Sequence, residues 1–242
     1  MRALGLLAVA FLFEAWSLRS AEIAGITEPY LDATLSTPVA GTIGKHYFKE
    51  GDFVSKGQPI VDLDRRLEEL EVARRQAILE NATAILKRTE ELASKTRSVT
   101  QEELDKHRAE QRVAQAELDF AREQLRRRQV SAPFNGVVVD LFGLDVGEGC
   151  QPQAPLVRLV DTRRCWFVVN LESRVVQRIH LGQRLALSVG AVTGRHNLEA
   201  VVQFISPVAD PASGLVKVKA LFENPEAKVV AGDTATLKLS DE

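Results

Sequence analysis

From Arg65 to Gln129 the chain contains neither Gly nor Pro and is dominated by Ala, Leu, Glu, Gln, Arg and Lys. These are strong helix formers, and no residue in the run would break a helix. The hydrophobic period fails around Ser94–Thr100, where Thr100 followed by Glu103 reads as an N-cap with its capping-box acid. The spacing therefore predicts a hairpin of two helices with its bend near Lys95–Val99, each arm of about 30 residues being roughly 45 Å long. In the second arm Leu104, Ala114, Leu118, Ala121 and Leu125 recur at intervals of three and four, with His107 and Gln111 at the remaining seam positions. In the first arm Ile78, Ala82, Ile85 and Leu92, preceded by Leu70, Ala73 and Ala77, give the expected seam. So narrow a stripe suits one partner helix. Glu-first pairs four apart, Glu71 with Arg75, Glu91 with Lys95, Glu102 with Lys106 and Glu123 with Arg127, mark the solvated faces.

The segments flanking this run repeat each other. Thr37–Gly41 answers to Ala132–Gly136, Gly51 to Gly147, and Pro59–Leu63 to Pro155–Leu159. Each copy reads as short strands between Gly-containing turns. A unit of about 30 residues cannot bury a core alone, so the two copies are expected to pack as one small β-sandwich. Beyond Asp161, strands are expected at Cys165–Leu171, Arg184–Val189, Leu198–Ile205, Leu215–Phe222 and Thr234–Leu239, a small antiparallel barrel that Ile23–Leu35 can join as a further strand.

At the start, Met1-Arg2 precedes an apolar run, Ala3–Phe13, that ends at Glu14, with small residues at Ala15 and Ser17 or at Ser20 for cleavage. That run falls well short of the roughly 20 apolar residues that span a bilayer. Residues 1–21 thus read as an export signal, cleaved or retained as a tether, with no Cys nearby to carry a lipid. Lys and Arg number 31 against 33 Asp and Glu, so no net field selects nucleic acid or an anionic membrane as partner. Cys150 and Cys165 lack the second Cys or His pair of a zinc site; in an oxidising compartment they form either a disulfide or two buried free thiols. His46, His107, His180 and His196 are scattered, with no His-Glu-x-x-His or Gly-x-Ser-x-Gly run, and Gly41, Gly51 and Gly57 open no helix that could cradle phosphate. Neither an enzyme nor a cofactor is expected.

The order half-sandwich, hairpin, half-sandwich, barrel resembles the HlyD-like membrane fusion proteins, the periplasmic adaptors of tripartite efflux systems. The likeness is carried by Pro38–Ile43, Lys49–Ile60 with Leu63-Asp64, Ala132–Val138, Ser206–Pro211, Val216–Val218 and Asn224-Pro225. It implies a mainly β fold with a long α-helical hairpin: a lipoyl-like β-sandwich split by an antiparallel coiled coil, followed by a small antiparallel β-barrel. The divisions are a signal at 1–21, an N-terminal strand joining the barrel at 22–35, the lipoyl-like halves at 36–64 and 130–161, the hairpin at 65–129 and the barrel at 162–242.

The same resemblance implies a location in the periplasm of a Gram-negative bacterium, associated with the inner membrane. Its implied partners are an inner-membrane transporter of RND or ABC type and an outer-membrane channel met by the hairpin tip. A single chain of this shape cannot enclose a conduit, so a closed homo-oligomeric ring is expected. Arg88, Leu92 and Thr100, the last before Gln101–Asp105, are similar to the family's tip, with Thr for Ser and a bend one residue longer; Lys95 stands in that bend. The channel-contacting set is thus Arg88, Leu92, Lys95, Thr100 and Asp105, although Leu92 can equally be a seam residue and Thr100 only a cap. Many family members continue into a membrane-proximal β-domain, whereas this sequence ends at Glu242, which implies pump docking through the barrel or another subunit. Two other readings share these features: a lipoyl or biotinyl carrier domain, for which no Lys stands at the Leu63-Asp64-Arg65 corner, and a structural coiled-coil protein of the envelope.

Overall fold

A computed structural model describes residues 22–96, 99–142, 145–190 and 196–238. Strands β1 (Glu22–Ser36), β2 (Gly41–His46), β3 (Phe53–Val54) and β4 (Pro59–Leu63) precede helices α1 (Arg66–Thr96) and α2 (Gln101–Arg126). Then follow β5 (Gln129–Ser131), β6 (Gly136–Asp140), β7 (Gly149–Cys150) and β8 (Pro155–Glu172), the short helix α3 (Ser173–Val176), and β9 (Arg184–Val189), β10 (His196–Ala209), β11 (Leu215–Glu223) and β12 (Thr234–Lys238). The chain divides into two compact units, one made of residues 29–164 and the other of the residues up to Glu28 with those from Cys165 onward. The expected strand at 22–35 is therefore shared: Glu22–Ile26 pairs antiparallel with β12, while residues from Pro29 on belong to the unit that carries the hairpin.

In the unit of residues 29–164, strands from before the hairpin pair with strands from after it. β4 lies beside β5 with Val61 opposite Val130, β2 beside β7 with Gly41 opposite Cys150, and β3 beside β6 with Phe53 opposite Val137. Ile43, Val54, Ile60, Val61 and Leu63 of the first copy interlock with Val130, Val138, Leu156 and Leu159 of the second in one core. Neither copy contains enough apolar side chain to close that core by itself, so the two repeats fold as one body. Close approach requires glycine at Gly136, where a methyl group would stand 2.5 Å from the Val160 carbonyl oxygen.

In the second unit the neighbours run β1-β12-β9-β10-β11-β8, and β1 also pairs with β8, which closes the strands into a barrel. Phe167, Val169, Leu171, Leu185, Leu187, Val202, Val218, Phe222 and Leu237 fill it, alternating along their strands as the period-two pattern requires. The register of β10 against β11 slips between Ile205 and Ala209, at the Pro207 that has no N–H for the ladder.

Cys150 and Cys165 are both free and buried, Cys150 in the core of the first unit and Cys165 in that of the second. The disulfide alternative is thereby corrected: each thiol is packed into its own core, and the pair of buried thiols is what the fold contains.

Candidate functional site

The hairpin is the feature this fold adds to a sandwich and a barrel. Its first helix has 31 residues, about 46 Å of rise. Glu68 and Glu69 in the first turn and Lys95 in the last complement the helix dipole. The second helix starts where Thr100, in an extended conformation, accepts a hydrogen bond from the Glu103 N–H through its side chain at 3.2 Å.

Ala114, Leu118 and Ala121 are the buried residues of α2, and Leu104, His107, Gln111 and Leu125 are partly buried on the same stripe, so the second arm's seam lies as expected. The first arm differs. Leu79 and Thr89 are buried and Val72, Ala82, Ile85, Leu86 and Ala93 partly so, whereas Ile78, Leu70, Ala73, Ala77 and Leu92 are exposed. Ala82 and Ile85 lie toward the seam as expected, but at Ile78 and Leu92 the seam passes one residue later. Two apolar heptad rows run side by side on α1, and periodicity alone cannot choose between them.

The second row leaves one side of the hairpin apolar. Ile78, Val113, Ala116 and Phe120 line it around Glu71, Arg75 and Glu117, with Phe120 66% exposed. Arg75 pairs with both Glu71 (2.8 Å) and Glu117, a contact that bridges the two helices. Arg74 and Arg75 together hold the Glu71 carboxyl down to about 2, the hydrogen bond from Arg74 being the larger cause. Gln76, next to Arg75 but across the seam, receives Arg122 at 3.1 Å, and Glu90 receives Arg108 at 3.2 Å, so the opposite side is polar. Sequence reasoning missed Val113 and Phe120; their signal was two large apolar residues seven apart and just off the seam.

At the far end, Arg88, Leu92 and Lys95 are exposed and, four and three residues apart, share the outward part of α1. The Arg88 Nε donates to the Ala84 carbonyl at 3.2 Å, which leaves the rest of the guanidinium outward. Leu92, 52% exposed, is not a seam residue. Thr100 is exposed and caps α2, while Asp105 accepts from Gln101 at 3.0 Å and faces Arg108 at 3.6 Å. The structure therefore groups Arg88, Leu92 and Lys95, and assigns Thr100 and Asp105 local contacts in α2.

At the opposite end, β4 enters α1 through Asp64, whose carboxyl Arg66 hydrogen bonds hold below its ordinary value. No lysine stands at this corner, where a carrier domain would present its modified side chain. Among the described residues no group of three or more His, Cys, Asp or Glu is arranged to hold a metal ion. None of the described helices is long and apolar enough to cross a membrane.

Residues 164–242 match the CusB-like β-barrel domain family. Over 236 residues the chain is 26% identical to the toluene efflux pump periplasmic linker protein TtgD of Pseudomonas putida, covering 87% of this chain and 58% of that one. It is 29% identical over 213 residues to the multidrug resistance protein MdtA of Xenorhabdus bovienii, covering 79% of this chain and 51% of the relative. The chain thus spans a little over half the length of these relatives. Among solved structures, a MacA–MexA chimera carrying the Pseudomonas aeruginosa MexA α-hairpin superposes with a TM-score of 0.77 at 20% identity, covering 92% of this chain and 81% of that one.

Proposed function

We propose that this chain, a HlyD-like membrane fusion protein, is the periplasmic adaptor that joins an inner-membrane efflux or secretion pump to an outer-membrane channel and thereby supports export. The observation that carries this reading is the exposed row Arg88, Leu92 and Lys95 in the last turns of a helix about 46 Å long, a cation, an apolar side chain and a second cation. Exposed side chains of this mixed chemistry, gathered on one helix face, suit contact with another protein. The role is mechanical: the arm transmits position and does not act on a substrate chemically. The pump is of RND or ABC type, and the protein works in the periplasm of a Gram-negative bacterium at the inner membrane.

Assembly into a closed homo-oligomer follows from the two unlike sides of the hairpin. The Ile78, Val113 and Phe120 side is apolar around Glu71, Arg75 and Glu117, while the opposite side presents Arg122 beside Gln76. A second copy in the same orientation would set its polar side against this face and cover the apolar row. Such head-to-tail contacts form a ring where the rotation between neighbours closes.

Photo-crosslinking in the cell envelope from a reactive residue at position 88 or 95 tests the reading. Capture of an outer-membrane channel is expected. Repeated capture of no transport component would leave a structural envelope coiled coil as the better account.

A further inference from the structure

The root of the hairpin is held by a polar cluster that the apolar core of the sandwich does not need. Asp62, the buried next-to-last residue of β4, gathers donors from three separate segments. Tyr47, just after β2, donates its hydroxyl to Oδ2 at 2.9 Å. Arg65, at the entrance to α1, reaches the same oxygen at 3.0 Å. Gln129, the residue that follows the exit from α2 and opens β5, donates to Oδ1 at 2.7 Å. The Tyr47 phenol is raised above its ordinary pKa, first by the hydrogen bond to Asp62 and then by burial.

Beside this carboxylate, Arg128 bridges the two roots. Its guanidinium pairs with Glu68 of α1 at 2.6 Å and donates to the Ala40 carbonyl at 2.9 Å, while its own carbonyl accepts from the Leu63 N–H at 2.8 Å. Glu68 and Arg128 are mostly covered, at 18% and 25% side-chain exposure, so water competes weakly for these bonds. Charged hydrogen bonds of this kind are directional, whereas the core formed by Ile43, Val61, Val130 and Leu159 would tolerate small rotations of the arm.

We propose that Asp62 and Arg128 are positioning residues that fix the direction in which the hairpin leaves the sandwich, and so the place of its tip. The lever makes this consequential: a tilt of about 10° at the root of a helix 46 Å long displaces the tip by roughly 8 Å, more than the length of any side-chain contact. Removing Arg128 would leave the covered Glu68 carboxylate without its counterpart, and removing the Asp62 carboxylate would take from Tyr47 and Gln129 their shared acceptor while Arg65 keeps Glu69 at 2.9 Å; the arm would relieve this by pivoting. The effect on channel contact rests on the adaptor reading; the effect on arm direction does not.

The test uses the full chain with spin labels on cysteines introduced at Lys56, in the exposed turn before β4, and at Lys95 at the tip; both native thiols are buried. Electron–electron double resonance is compared between this parent and its Asp62→Asn and Arg128→Met variants, with Arg128→Lys as the milder change. A narrow distance distribution in the parent that broadens in the variants, by the part of the tip displacement lying along the line between the labels, with far-UV circular dichroism unchanged, is the expected result; Arg128→Lys, which keeps the charge but loses the planar fork, should fall between. Cross-linking from position 88 should then drop several-fold. An equally narrow distribution in Arg128→Met, or a broad one already in the parent, would overturn the proposal. Should Asp62→Asn fail to fold, the Arg128 pair decides. Unchanged distances with lost cross-linking would instead count against the root, not against the adaptor reading.

Discussion

Ile78 and Leu79 are neighbours in α1, yet Leu79 is 9% exposed and faces α2 while Ile78 is 39% exposed on the open side of the hairpin. Replacing Leu79 by Ala should cost about 2–3 kcal/mol, the lower part of the range for buried leucines because a two-helix seam can partly collapse. Ile78→Ala should stay within about 1 kcal/mol, helped by the better helix propensity of Ala. Amide hydrogen exchange along both helices would measure the difference; equal losses would mean that the seam lies elsewhere.

The tip predicts the opposite separation of stability from binding. Arg88→Ala and Leu92→Ala remove exposed side chains and should shift the melting temperature by no more than about 2 °C. Channel capture in the envelope should nevertheless fall several-fold for the double variant, as read by cross-linking from Lys95. Full capture by the double variant would deny the tip its assigned role.

Ring closure can be separated from two-fold pairing with cysteines alone. In a head-to-tail contact, a cysteine at Val113 meets one on the other side of the neighbour, at Gln115 or Arg122, and never its own copy. Oxidation should therefore give ladders of cross-linked chains from a Val113→Cys and Arg122→Cys double variant, and no dimer from either single variant. A strong dimer from Val113→Cys alone would replace the ring by a two-fold pair of hairpins.

Acid should loosen the arms over a defined window. Arg74 and Arg75 lower the Glu71 pKa to about 2, and Arg126 and Arg127 do the same for Glu123, from an ordinary value near 4.5. Both carboxyls bind protons more readily in the unfolded chain, so their contribution is complete above about pH 4.5 and is lost as pH falls toward 2. Both are solvent-exposed, so the effect is small and screened by salt. Thermal melts followed by helical ellipticity between pH 5 and 2 should show this decline, and Glu71→Gln with Glu123→Gln should flatten it at low ionic strength.

Both thiols should be silent in the native protein. Labelling under non-reducing, denaturing conditions is expected to find two free cysteines, with none reactive before unfolding, and a reductant should leave the melting temperature unchanged. One disulfide per chain would contradict the packing of Cys150 and Cys165 in separate cores.

The second arm was legible because Leu104, Ala114, Leu118, Ala121 and Leu125 form its longest apolar row, with only Val113 and Phe120 beside it. The first arm was not, since Val72, Leu79 and Leu86 run beside Ile78, Ile85 and Leu92, and a shift of one residue turns a helix by only about 100°. At the tip, Leu92 carried two readings until its exposure excluded the seam, whereas Thr100 proved to be the cap that its side chain and Glu103 announced. The root cluster was invisible for another reason: Tyr47, Asp62, Arg65 and Gln129 are unremarkable where they stand in the chain, and only the pairing of β4 with β5 brings them onto one carboxylate.

What the amino-acid sequence decided by itself was everything that depends on local period and on self-similarity: two helices bent near Lys95, two matching half-sandwiches and a run of short strands after them. These follow from backbone preferences and hydrophobic spacing, which act over a few residues and need no knowledge of what lies opposite. The tertiary structure alone decided which of two equal stripes became the seam, that Cys150 and Cys165 lie in different cores, and that Asp62 and Arg128 tie both ends of the arm to the sandwich. Each of these is settled by packing and hydrogen bonding between segments far apart in the chain, 88 residues in the case of Arg128 and Ala40, and such partners leave no trace in the local pattern of either segment.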